Sequence, residues 1–167
     1  KDLSKVKENL DHQMGTNRVN YWTWIDAIQM AMPAYAKYAK ITGERKYLDY
    51  AMNSYKWSRD TLANGLFNKK EGLWWRDKDY VPPYKEKDGS NCYWSRGNGW
   101  VYAALVRVME TLPKKDKYYQ YLKKDFILMS KAILKCQRKD GYWNVSLVCP
   151  ANYGGPEMTG TGLFLYG

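Results

Sequence analysis

The stretch YWTWIDAIQMAMPAYAKYAKI at residues 21–41 places Trp24, Ala27, Ile28, Ala31, Tyr35, Tyr38 and Ala39 at i, i+3, i+4 and i+7 spacing. That period draws one apolar stripe along a helix and fits no strand, whose side chains alternate every two residues. Thr42-Gly43 ends the stretch, glycine being the usual residue where a helix backbone turns left-handed. Pro33 lies inside the pattern. Its ring removes a backbone donor and crowds the preceding turn, so a kink or a split is expected there.

Working outward, a second helix is expected from about Glu44 to Leu62, with Tyr47, Leu48, Ala51, Tyr55 and Leu62 as its buried stripe. With the first it makes a helical hairpin on a short connection. From Ala63 to Ser95 the period vanishes into Gly, Pro, Asn and charged residues interleaved with Trp74, Trp75, Tyr80, Tyr84, Tyr93 and Trp94. A loop of that length in a compact domain is usually functional. Helical spacing returns from Arg96 to Leu112 and from Lys117 to Gln137, a second hairpin, followed by another aromatic loop at 138–157. Residues 159–167 read as the first turns of a further helix. The segment TGERKYL at 42–48 parallels PKKDKYY at 113–119, and Trp24 and Trp100 open corresponding helices, giving a period a little over 70 residues. Repeated hairpins with their long loops at one end suggest a stacked or closed array whose loops and helix starts build the binding surface.

Composition agrees with one all-α domain over residues 1–167: 45% of the residues are hydrophobic and 26% charged. The aromatic side chains are 8 Trp and 16 Tyr against 3 Phe, so nearly all carry a polar edge. Such rings suit the face of a sugar, apolar above and hydroxylated at the rim. A net charge of +10 favours anionic partners in general. No basic run or recognised motif supports nucleic acid, and no window is apolar enough to span a membrane. Cys92, Cys136 and Cys149 are an odd number without CxxC spacing, and are read as free thiols rather than a disulfide framework or a zinc site. His12 is the only histidine, too isolated for a metal or a triad, and is expected on the surface or at a helix end. No signal region is visible, so the periplasm and the cytoplasm both stay open.

Two clusters carry chemistry. Asp26 lies among Trp22, Trp24 and Ile25 at the start of a helix. Burial there would raise its pKa, as a general acid requires, whereas the helix dipole would lower it. In WSRGNGW at 94–100, Ser95 could cap a helix, the two glycines could admit a ligand to the backbone, and Arg96 offers a planar fork for a carboxylate. Trp100, four residues on, shares the Arg96 face as a stacking platform. Asp26, Arg96 and Trp100 are therefore expected around one cavity.

WTWIDAIQMAMP at 22–33, WSRGNGW at 94–100, DGYWN at 140–144 and GPEMTGT at 155–161 together resemble the unsaturated rhamnogalacturonyl hydrolases of glycoside hydrolase family 105, near relatives of the unsaturated glucuronyl hydrolases of family 88. The resemblance implies an (α/α)6 toroid, about half of it represented here. It implies a bacterial enzyme that removes unsaturated uronic acid from pectin-derived oligosaccharides without a cofactor. It implies Asp26 as the general acid and base, and Trp24, Arg96 and Trp100 as substrate-binding residues. A second family aspartate falls before Lys1, and a loop histidine of the family has no counterpart in NKKEGLWWR at 68–76. Self-association of the incomplete barrel is expected. A non-catalytic carbohydrate-binding partner on the same scaffold is the alternative reading.

Overall fold

The computed structural model describes residues 2–167, and nearly all of its regular secondary structure is helical. They are α1 (Ser4–Gly15), α2 (Asp26–Thr42), α3 (Arg45–Asp60), α4 (Ser95–Met109), α5 (Lys117–Lys135) and α6 (Met158–Tyr166). A two-stranded antiparallel hairpin, β1 (Phe67–Asn68) and β2 (Leu73–Trp74), sits in the first long loop. α2, α4 and α6 pack side by side as an inner row, with α3 behind α2 and α5 behind α4. This is the arrangement of an α/α toroid, of which the chain forms an arc.

The inner row owes its position to hydrophobic burial. Ile25, Ile28, Met32, Val101, Ala104 and Leu105 are all fully buried, at roughly 1.5–3 kcal/mol for each large aliphatic side chain. The outer helices are joined by polar contacts that repeat at both ends. Arg59 grips Asp125 through two hydrogen bonds, Nε to Oδ2 at 2.7 Å and Nη2 to Oδ1 at 2.6 Å, while the Tyr55 hydroxyl donates to the same carboxylate at 2.8 Å. Near the opposite ends Arg45 reaches Asp116, which also caps α5 by accepting from the Tyr118 amide.

The sequence missed α1. It has no fully buried residue; Leu10 and Met14 pack against the edge of the core, and tyrosine hydroxyls from α2 and α3 add polar ties, Tyr35 donating to Gln13 at 2.8 Å and Tyr47 to Asp11 at 2.6 Å. His12 is exposed in its last turn, as expected of a surface histidine. The helix expected from Tyr21 begins instead at Asp26, because Trp24 bridges to Asp77, the Ile25 amide bonds the Arg76 carbonyl and the Trp22 carbonyl accepts from Ser58 Oγ, so these backbone groups are spent outside a helix. Pro33 does not split α2, which runs unbroken to Thr42 and ends on a left-handed Gly43. The inner helices start at Asp26, Ser95 and Met158, so the repeat is 69 and then 63 residues, a little shorter than the sequence parallels suggest. All three cysteines are free thiols. No helix among the described residues is long and apolar enough to cross a membrane.

Candidate active site

The N-termini of the three inner helices open at one end, and the long loops are knitted to them by short backbone pairings. The Ile25 amide donates to the Arg76 carbonyl at 3.0 Å beside a Trp24–Asp77 bridge. The Ser95 amide donates to the Val145 carbonyl at 2.8 Å beside a Trp94–Ser146 bridge. The Glu157 amide donates to the Trp143 carbonyl at 2.8 Å beside an Asn144–Pro156 bridge. Each inner helix is therefore preceded by a short lead that ties it to a long loop, α2 and α4 to the loop after their own hairpin and α6 to the loop before it.

The WSRGNGW segment serves this knitting. Asn98 is fully buried; its Oδ1 accepts from the Trp74 amide at 2.8 Å, and its Nδ2 donates to the Trp74 carbonyl and the Trp94 carbonyl at 3.0 Å each. One amide side chain thus fixes β2 to the start of α4. Gly97 and Gly99 do not open the backbone to a ligand. A methyl group on Gly97 would meet Ile25 Cδ1 at 2.8 Å, and one on Gly99 would meet Leu163 Cβ at 2.9 Å, so these glycines permit close packing of α4 on its neighbours. Ser95 is not a cap either: it is the first residue of α4, and its Oγ is buried without a hydrogen-bond partner, pressed toward Gly160. Trp143 and Glu157 also prove structural. The Trp143 indole donates to the Ile133 carbonyl at 2.8 Å, and the Glu157 carboxylate caps α6 by accepting from the Thr159 and Gly160 amides.

What these elements enclose is a cleft of about 530 Å³ lined by Thr23, Trp24, Asp26, Leu62, Arg76, Asp77, Lys78, Asp79 and Trp94. Asp26 stands at its base as the first residue of α2. Its Oδ1 is buried and makes no hydrogen bond among the described residues. Burial pushes the carboxyl above the ordinary aspartate range, and the nearby Arg96 and Arg76 guanidinium groups pull back against that rise. Desolvation therefore outweighs the two cations and the hydrogen bond from the residue's own backbone amide. The outcome is a carboxyl that holds its proton more readily than a free aspartate.

Trp24 is half exposed at 48%, its ring on the cleft wall rather than in the α2 stripe. The Arg96 guanidinium lies 4.1 Å from the centroid of the Trp94 ring, so this cation stacks on one of the cleft's aromatic walls. Of the three residues expected around one cavity, Asp26 alone lines this cleft; Arg96 lies behind its Trp94 wall, and Trp100 lies further along α4, half-buried. Sequence reasoning missed Arg76, Asp77 and Trp94 as cleft residues. The available signal was turn chemistry: Asn68 Oδ1 accepts from the Lys70 and Glu71 amides, and Gly72 adopts a positive φ of 73° where a side chain would strike the Leu128 carbonyl. An FN-KKEG-LW hairpin carries Arg76 and Asp77 on its outgoing arm, up to the Trp24 lead.

Residues 2–167 match the family model described as Glycosyl Hydrolase Family 88. The chain belongs to glycosyl hydrolase family 88. An "Unsaturated 3S-rhamnoglycuronyl hydrolase" of Alteromonas sp. (strain LOR) is 37% identical over 150 residues, 87% of this chain and 34% of that protein. A solved "Glycosyl hydrolase family 88 from Bacteroides vulgatus" superposes with a TM-score of 0.92 at 37% identity, over 99% of this chain and 47% of that one. A Clostridium acetobutylicum structure titled as glycoside hydrolase family 105 superposes with a TM-score of 0.69 at 28% identity, over 86% and 40%. The family 88 chain thus spans between a third and a half of the length of these relatives, and its likeness to a family 105 structure agrees with the resemblance seen in its motifs.

Proposed function

We propose that the protein releases an unsaturated uronic acid from the end of an acidic oligosaccharide by hydrating its C4=C5 double bond, with Asp26 as the proton donor. The observation that carries this reading is the half-buried Asp26 carboxyl in an aromatic cleft, raised in pKa and flanked by two arginines, while the cleft's other two carboxylates, Asp77 and Asp79, are paired with Arg76 and Lys78. An ordinary glycosidase needs two carboxyl groups on either side of the anomeric carbon. An unsaturated uronyl ring is different, because its double bond is conjugated to the carboxylate and joined to the ring oxygen as a vinyl ether.

Protonation at C4 leaves an oxocarbenium ion at C5, to which water adds as one proton is withdrawn. The hemiketal opens to a C5 ketone, and the hemiacetal left at C1 expels the attached sugar as an alcohol. One aspartate can serve as acid toward C4 and then as base toward the attacking water. Arg96 is the candidate partner for the uronate carboxylate, and Trp24 and Trp94 are candidate platforms for the ring. Trp100, off the cleft wall, would act only through a neighbour. The relatives' printed activity favours an attached rhamnose; the family 105 resemblance favours a pectin source.

The test is optical. Hydration destroys the conjugated chromophore, so the full-length protein should bleach the ultraviolet absorbance of an unsaturated uronyl-rhamnose and release free sugar in equal amount. Binding of that disaccharide without any bleaching would instead favour the reading of a non-catalytic carbohydrate-binding protein.

A further inference from the structure

Asp26, Gln29, Pro33, Ala36 and Lys40 follow one another along one side of α2 at helical spacing. That side faces α4. At its far end Lys40 Nζ donates to the carbonyl of Glu110, the residue after α4, at 3.5 Å, and beside its near end Ile25 lies against Gly97 of α4. Pro33 and Ala36 are buried between the two helices, as apolar residues should be. Gln29 is the exception, a polar amide only 6% exposed and one helical turn from Asp26. Its Oε1 is closed to water and meets no donor among the described residues, and the same holds for Asp26 Oδ1. Residues three apart on a helix carry their Cβ atoms roughly 5–6 Å from each other, within reach of a glutamine side chain. Unpaired buried acceptors are costly, and two of them one turn apart have a single remedy. A half-turn of the Gln29 amide about its last bond exchanges Oε1 for Nε2, which is a donor.

We propose that Gln29 is a positioning residue for Asp26: its side-chain amide donates to Oδ1 and so keeps the transferable proton on Oδ2, the oxygen left to the cleft. The inference rests on the proposed role of Asp26 as proton donor. A carboxyl can carry its proton on either oxygen, and only the one on the cleft side can reach C4. With an N–H directed at Oδ1, a proton there would set two donors against each other, so the proton rides on Oδ2. The Oδ2–H bond breaks as the C4–H bond forms, and the same oxygen then takes a proton from the water that joins C5. The amide holds the plane of the carboxyl through both steps, and its bond strengthens when the carboxylate is charged. The charged groups that face Asp26 are Arg96 of α4 and Arg76 of the first long loop. That loop also brings Asp77, Lys78 and Asp79 to the cleft, tied as the pairs Arg76–Asp77 and Lys78–Asp79. All of these stay in place when Gln29 is changed.

The experiment follows both side chains by NMR in the full-length protein. The Asp26 carboxyl carbon is identified by its absence in Asp26→Asn, and the Gln29 side-chain amide by its absence in Gln29→Met. One Gln29 amide proton should move downfield as Asp26 ionises, with the same midpoint, and should stop moving in Asp26→Asn. Gln29→Met should raise the Asp26 midpoint by at least about half a pH unit, since a donor to the carboxylate favours its charged form. Drying of the site by the apolar side chain moves the midpoint the same way, so the amide proton decides between the two causes. On an unsaturated uronyl disaccharide, Gln29→Met should lower kcat by about fivefold or more with KM within about twofold of wild type. A Gln29 amide proton that ignores the ionisation of Asp26, or a midpoint unchanged or lowered in Gln29→Met, overturns the proposal. An unchanged kcat in Gln29→Met overturns the positioning role and leaves the hydrolase reading standing. The titration needs no substrate: if the wild type bleaches no chromophore, the hydrolase reading fails and the amide proton alone decides the bond. Should Gln29→Met fail to fold, the amide is assigned through the wild-type backbone, and Gln29→Leu is judged on the same midpoint and kcat.

Discussion

Asn98 and Trp74 are joined at both of Trp74's backbone groups, amide to Oδ1 at 2.8 Å and carbonyl to Nδ2 at 3.0 Å, in a place fully closed to water. The pair substitutes for a third strand: β2 has β1 on one edge and a helix side chain on the other. Asn98→Ala would strand a buried donor and a buried acceptor together. The expected cost is about 2–4 kcal/mol, seen as a fall in Tm of roughly 5–15 °C. Asn98→Asp should cost less at low pH, where a protonated carboxyl can still donate. A melting temperature unchanged in Asn98→Ala would show that the hairpin is held by something else.

The α4–α6 contact depends on one missing side chain. A Cβ on Gly160 would lie 2.2 Å from Ser95 Oγ and 3.0 Å from the Ser95 carbonyl carbon, so backbone as well as side chain must move. Gly160→Ala should destabilise by about 1–3 kcal/mol, the usual range for overpacking. Gly162, two residues on, has nothing within 4 Å of its would-be Cβ. Gly162→Ala in this chain should therefore be neutral or stabilising by roughly 0.5–1 kcal/mol, since alanine loses less backbone freedom in a helix. Chemical denaturation of the two variants compares them directly, and equal effects would contradict the packing account.

The Arg59–Asp125 pair is buried on both sides, with side-chain exposures of 10% and 2%. Removing Asp125 takes away two of the three carboxylate hydrogen bonds of buried Arg59 and leaves it only Asp60, so Asp125→Ala should cost about 3–5 kcal/mol. Replacing Arg59 and Asp125 together with apolar residues of similar size should cost much less than the sum of the single changes. A double-mutant cycle measures that coupling, and strict additivity would mean that the pair does not act as a unit.

These three sites separate what the sequence makes legible from what it hides. The inner and outer helices read directly because Ile28, Tyr35, Tyr47, Tyr55 and Leu122 recur at helical spacing and are in fact buried. α1 was hidden because its few apolar residues, Leu10 and Met14, are only partly buried and its polar ties come from Tyr35 and Tyr47, which sit elsewhere in the chain. The start of α2 was read five residues early, since a pairing between Trp24 and Asp77 leaves no periodic trace in either segment. At the site, Asp26 stood out by its apolar neighbours. Arg76 and Trp94 did not, because their place on the cleft is set by Asn98 holding the hairpin, a contact across 24 residues. Gly97 and Gly99 invited a ligand reading from sequence, and only the positions of Ile25 and Leu163 show that helices fill the space.

Stability should carry the signature of Asp26. Its folded pKa is raised by burial above the ordinary value near 3.8, so between that value and the raised one the folded state binds more protons than the unfolded state. Stability then falls as pH rises through that window and is lowest with the carboxyl ionised above it. Asp26→Asn removes the titration. It should melt above the wild type at pH 7, with the difference shrinking as pH falls through the window. A variant less stable than wild type at pH 7 would imply that the ionised carboxylate is well paired in the fold.

The same substitution separates proton donation from binding. Asn keeps the size of Asp26 and much of its hydrogen bonding but cannot deliver a proton, and a positioned general acid contributes typically 10²–10⁴ in rate. On the full-length protein, Asp26→Asn should therefore lower kcat by that factor with KM little changed. Because the raised pKa keeps the proton on Asp26 to higher pH than a free aspartate would, wild-type kcat/KM should fall as pH rises through that value, and Asp26→Asn should lose this limb. Arg96→Ala removes a cation that opposes the rise, so its limb should shift to higher pH while its main defect appears in KM. Loss of the chromophore's absorbance gives both parameters across the pH range. An Asp26→Asn enzyme retaining more than about a tenth of the wild-type rate is incompatible with Asp26 as the acid. An Arg96→Ala limb moving to lower pH would mean that the electrostatic coupling between the two side chains has the opposite sign.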